Sequence, residues 1–85
     1  MESTIDKMGF TVKPEKRDGY HTWIKQAGPV AHVEICRYGT KGTHTLGYDI
    51  WLYVKGQPVS ITLFLSAKVE DLKSRAMEFI LYNHD

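Results

Sequence analysis

Three side chains capable of chemistry, His32, Glu34 and Cys36, occupy alternate positions of the stretch Val30-Ala31-His32-Val33-Glu34-Ile35-Cys36-Arg37-Tyr38. Alternate residues of an extended chain share a face, so these three project to one side and Ala31, Val33 and Ile35 to the other. Residues two apart on a strand are about 6.5–7 Å apart, which lets His32 and Glu34 touch one small ligand. His32 and Cys36, at ~13 Å, cannot share a zinc ion on a straight strand, even with His21 joining from a neighbouring stretch. Cys36 is the only cysteine, and no Cys-x-x-Cys accompanies His32-Val33-Glu34. A thiol nucleophile would also need a base and an oxyanion site. The reading is a solvated or hydrogen-bonded strand histidine, with no catalytic, metal or cofactor-binding residue and no enzyme activity expected.

Gly39-Thr40-Lys41-Gly42-Thr43 has the flavour of a phosphate loop but lacks the Walker spacing, and no helix follows to lend its amides. It reads as a flexible strand connection. Within it Lys41 and His44 are candidate contacts for a partner, since loops carry function disproportionately.

The stronger signal is aromatic. Leu46–Lys55 and Pro58–Ser66 are both rich in strand formers, and only Gly56-Gln57 separates them. Glycine at the first central position predicts a two-residue type II′ turn. In that register Val54 faces Val59, Leu52 faces Ile61, Ile50 faces Leu63 and Tyr48 faces Leu65 on one side. Trp51 with Thr62, Tyr53 with Ser60 and Asp49 with Phe64 take the other.

The rest of the chain positions this hairpin. Residues 1–8 are polar and expected to be loosely ordered; Phe10–Lys13 suggests a short strand stopped by Pro14; Tyr20–Gln26 reads as another strand. The face buried by that strand is ambiguous, because Tyr20 and Ile24 share one side while Trp23 takes the other. After Ser66, a plausible N-cap, Val69, Leu72, Ala76, Phe79 and Ile80 fall on one stripe of a helix expected over about residues 67–82. The expected fold is a single α+β domain over residues 1–85. It comprises a four- or five-stranded, mostly antiparallel β-meander with the core hairpin at 46–66 and one C-terminal α-helix packed on one face.

One helix covers one sheet face. The other would present Trp51, Tyr53 and Phe64, joined by Trp23, with Asp49, Glu34 and Lys55 as a polar rim. Three readings stay open: an interface, a cover made by the N-terminal segment or the Gly39–Thr45 loop, or a sheet that curls closed on itself. As an interface it would serve a protein partner or a twofold copy in a homodimer.

Composition narrows the rival classes. Apolar content of 42%, charged content of 25% and a net charge of +1 describe an ordinary folded chain. The signs are mixed, which weighs against a chain dedicated to phosphate backbones. The alternative is a nucleic-acid-binding sheet, with Trp51, Tyr53, Trp23 and Tyr38 as stacking platforms and Lys13, Lys16, Arg17, Lys25, Arg37, Lys41 and Lys55 as phosphate contacts. Glu15, Asp18, Glu34 and Asp49 interleave with them. A lone cysteine and the want of a signal-like or membrane-length apolar run lead to the expectation of a cytoplasmic, soluble protein. In size, charge balance and lack of a catalytic set the chain resembles the small accessory proteins of phages and mobile elements. Many of those dock on a single host protein, and the resemblance carries no site residue.

Overall fold

The structure, a computed structural model, describes residues 2–16, 19–39, 46–65 and 69–81. A short helix α1 (Glu2–Lys7) precedes strands β1 (Thr11–Lys13), β2 (Tyr20–Gln26), β3 (Ala31–Gly39), β4 (Leu46–Val54) and β5 (Gln57–Leu65), and helix α2 (Val69–Ile80) follows. The strands form one antiparallel sheet in chain order, β1-β2-β3-β4-β5. This is the α+β meander expected from strand propensity and short connections, with five strands.

Both helices lie on the same sheet face, called inner below. Val33 and Ile35 of β3, Ile50 and Leu52 of β4, and Leu72, Ala76 and Phe79 of α2 form the buried core. The helical stripe read from the sequence is therefore the packed one. Each fully buried Leu or Ile contributes roughly 1.5–3 kcal/mol relative to an exposed one. Acidic Glu70 and Asp71 sit in the first turn of α2, where the helix dipole favours negative charge. Ser66, the expected N-cap, lies outside the described residues.

Three expectations are corrected. Residues 2–7, in the stretch expected to be loosely ordered, form α1, whose Ile5 is fully buried in the core and which touches α2. Trp23 belongs to the inner face. It pairs with Ile35, which pairs with Ile50, and only 5% of its surface is accessible. This resolves the ambiguity of β2, since the large indole gains most where it is buried in the core.

The third correction is the hairpin register. The two-residue turn is Lys55-Gly56, not Gly56-Gln57, with φ of 52° and 78°. Two positive φ values define a type I′ turn, which matches the right-handed twist of the flanking strands. Val54 therefore pairs with Gln57 and Tyr53 with Pro58; an irregularity between Leu52 and Tyr53 then leaves Val59 as an extra residue of β5, so that Leu52 pairs with Ser60, Trp51 with Ile61 and Ile50 with Thr62. Moving the turn by one residue shifts the pairing by two and keeps the faces, whereas the extra residue at Val59 shifts it by one and exchanges them: Ser60 and Thr62 turn inward, and Ile61 and Leu63 turn outward. The cost is small because α2 packs chiefly on β3 and β4, leaving little cover over the inner side of β5. Lysine in the left-handed region is strained, so Lys55→Asn, the residue type I′ turns prefer, is expected to raise stability by about 0.5–1 kcal/mol in urea denaturation. A loss of stability would place the turn elsewhere.

Candidate functional site

The outer face is built from transverse rows of paired residues. One row runs Lys13, Thr22, Cys36, Asp49, Leu63; the next runs Thr11, Ile24, Glu34, Trp51, Ile61; a third runs Gln26, His32, Tyr53, Pro58. Between β1 and β4 the face is concave and holds a basin of about 310 Å³. Buried Thr22 and Cys36 lie at its floor, beside Asp49, whose Oδ1 is cut off from solvent. Tyr20, Trp51 and Tyr53 wall it, and Lys13, Glu15 and Glu34 carry its charges.

Glu34 is held from two sides. Its Oε1 accepts from Lys13 Nζ at 3.3 Å, and its Oε2 lies 2.9 Å from His32 Nε2. The His32 ring stacks flat on Tyr53, with centroids 4.6 Å apart and planes 5° off parallel, and Tyr53 is followed by Trp51 at 6.0 Å. The adjacency of His32 and Glu34 expected from strand spacing is thus present, but it fixes a carboxylate and orders a row of three rings. On β2, Thr22 Oγ1 donates to Glu15 Oε2 at 3.1 Å. No group of three or more His, Cys, Asp and Glu side chains among the described residues could hold a metal ion.

Beside Tyr20, Tyr38 lies across Gly47. A Cβ on Gly47 would stand 2.3 Å from the ring, so only glycine lets the phenol lie flat there. This placement lets the Tyr38 hydroxyl donate to Asp49. Burial, then the charge of Asp49 and that hydrogen bond, raise the Tyr38 pKa above the ordinary phenol value. Tyr53 is raised as well, by burial and then by the charge of Glu34, with Lys13 partly opposing. Both phenols hold their protons more tightly in the folded chain than in the unfolded one. Their contribution is therefore whole below about pH 10 and is lost as pH climbs through the raised values. In an alkaline titration followed by phenolate absorbance, Tyr38 and Tyr53 are expected to ionise above the ordinary phenol range, with stability declining over the same range. A single ionisation step for all phenols at the ordinary value would contradict these environments.

Of the expected partner-binding residues, Trp51, Tyr53 and Asp49 share the basin, and Glu34 joins them. Trp23 does not, being part of the core. Phe64 pairs with Tyr48 in the ladder, and not with Asp49 as expected. Lys41 and His44 lie outside the described residues. Tyr20 and Thr22 were not expected at the site, and Lys13 and Glu15 were weighed only for a phosphate backbone and not placed beside Glu34, since nothing local announces the β1–β2 register. Ile61 and Leu63 were anticipated on the opposite face, though the alternation that marks them as a pair is plain in the sequence.

No family model, curated protein or solved structure matches the chain. No helix among the described residues is long and apolar enough to cross a membrane.

Proposed function

We propose that this chain is a non-enzymatic protein-binding module whose working surface is the outer face of the sheet. The observation that supports it most is the row beside Trp51. Ile61 and Leu63 are 44% and 64% exposed, and Val59, at the strand irregularity, is 55% exposed. They lie on a nine-residue edge strand with no charged residue from Gly56 to Ala67. Edge strands are commonly guarded by charges; this one has none, its guards being Pro58 and the irregularity at Val59, and an uncharged apolar strand beside aromatics suits association with another polypeptide through its outer face. The lone Cys36, buried and without a disulfide, accords with work in the cytoplasm. A nucleic-acid role has less support, because Glu15, Glu34 and Asp49 converge where the aromatics are and would repel phosphates.

The test begins with solution mass by light scattering at increasing concentration. A mass near twice 9.8 kDa makes the occupant a second copy; a monomer directs the search to a foreign protein, isolated and then measured with the purified chain. In either case Trp51→Ala is expected to weaken association by about 2 kcal/mol or more, roughly thirtyfold, and Ile61→Lys to do the same with the fold intact. Trp51→Ala and Ile61→Lys both leaving association untouched would refute the reading. Oligonucleotide binding that falls steeply with salt would replace it.

A further inference from the structure

The concavity of the outer face identifies the kind of group it receives. A basin of about 310 Å³ is at the small end for ligand sites, the size for one side chain or small amine and not for a nucleotide or a large cofactor. Its described ionisable lining comprises three carboxylates, Glu15, Glu34 and Asp49, against a single ammonium, that of Lys13. Its walls are aromatic, and the faces of tryptophan and tyrosine attract cations. One cation is already drawn in. Lys13 stands on β1, a three-residue edge strand whose every residue is exposed, and its Nζ reaches across β2 to Glu34 on β3. The chain's own ammonium therefore demonstrates the chemistry that the basin accepts.

From this we infer that the basin binds a cationic side chain, an arginine or lysine presented by the partner protein, which competes with Lys13 for Glu34 and packs against Trp51 and Tyr53. The inference rests on the protein-binding reading of this face and names the group recognised. Arginine is the better match, because its planar guanidinium stacks on aromatic faces and engages carboxylates through paired donors. Competition gives the site an unusual sign: removing a lysine strengthens the binding of a cation.

The experiment is a titration of the folded chain with argininamide, followed by amide shifts in proton–nitrogen NMR spectra, with inorganic phosphate as the control ligand. Saturable shifts are expected at residues 34, 36, 49 and 51. Lys13→Ala is expected to tighten binding by about threefold or more, and Glu34→Gln and Trp51→Ala each to weaken it by about fivefold or more. Should Trp51→Ala fail to fold, Lys13→Ala and Glu34→Gln carry the test with their opposite signs. The inference is overturned if argininamide gives no saturable shifts, if those shifts are indifferent to both Lys13→Ala and Glu34→Gln, or if phosphate binds and Lys13→Ala weakens it. Loss of argininamide binding alongside association that still depends on Ile61 removes the cation and keeps the interface. Saturable argininamide binding by a chain that associates with nothing keeps the basin and removes the interface.

Discussion

Ile5→Ala is expected to cost the domain roughly 2–4 kcal/mol, because it empties a fully buried site between α1 and the rest of the core. The scale of that loss follows from the size of the chain. At about 0.05–0.15 kcal/mol per residue, a domain of this length has on the order of 4–13 kcal/mol in total. A six-residue helix is also too short to persist on its own, so α1 is helical because Ile5 docks it. Once the docking weakens, the helix and the burial of Phe10 behind it go together. A fall in melting temperature of roughly 10–25 °C is expected, read by circular dichroism. Ser3→Ala, on the exposed side of the same helix, is the control and should stay within about 0.5 kcal/mol. If Ile5→Ala proved as mild as Ser3→Ala, the first helix would not belong to the core.

The second large effect tests the register of the hairpin. Thr62 pairs with Ile50 and is half-buried on the inner side; Ile61 pairs with Trp51 and is open to solvent. Thr62→Asp is therefore expected to cost roughly 2–4 kcal/mol, since it places a carboxylate beside the core. Ile61→Asp should cost about 1 kcal/mol or less, the ordinary price of aspartate in a strand. Urea denaturation of the two variants ranks them directly. Were the extra residue at Val59 absent, the order would reverse, because the faces of the β5 residues beyond it would be exchanged.

These two experiments fall where reading the sequence and seeing the structure part. The meander, the faces of β3 and the stripe of α2 are legible because each element shows a sharp contrast between its two sides. In β3, Ala31, Val33 and Ile35 alternate with His32, Glu34 and Cys36, and no other period fits. In β5 the contrast is blunt. Val59, Ile61 and Leu63 alternate with Ser60 and Thr62, but an apolar set at an edge gains little from facing a helix that does not reach it. The irregularity at Val59 then decides the faces, and no residue type announces it, while Gly56 suits the first position of one turn and the second of another. Helix α1 was hidden for a different reason: one isoleucine in a polar run has no periodicity to detect, and its order comes from contacts with elements far along the chain. The basin was half legible. Trp51, Tyr53, Asp49 and Glu34 follow from strand alternation, whereas Lys13 and Glu15 arrive through the pairing of β1, a tertiary outcome.

Because α1 and α2 meet over one sheet face, the core closes only when both are docked. The strands pair in chain order, yet Val33, Ile35, Ile50 and Leu52 stay uncovered until Leu72, Ala76 and Phe79 arrive from far along the chain. The sheet can therefore form before it is roofed, and a partly folded chain in that condition presents the apolar surface through which such species aggregate.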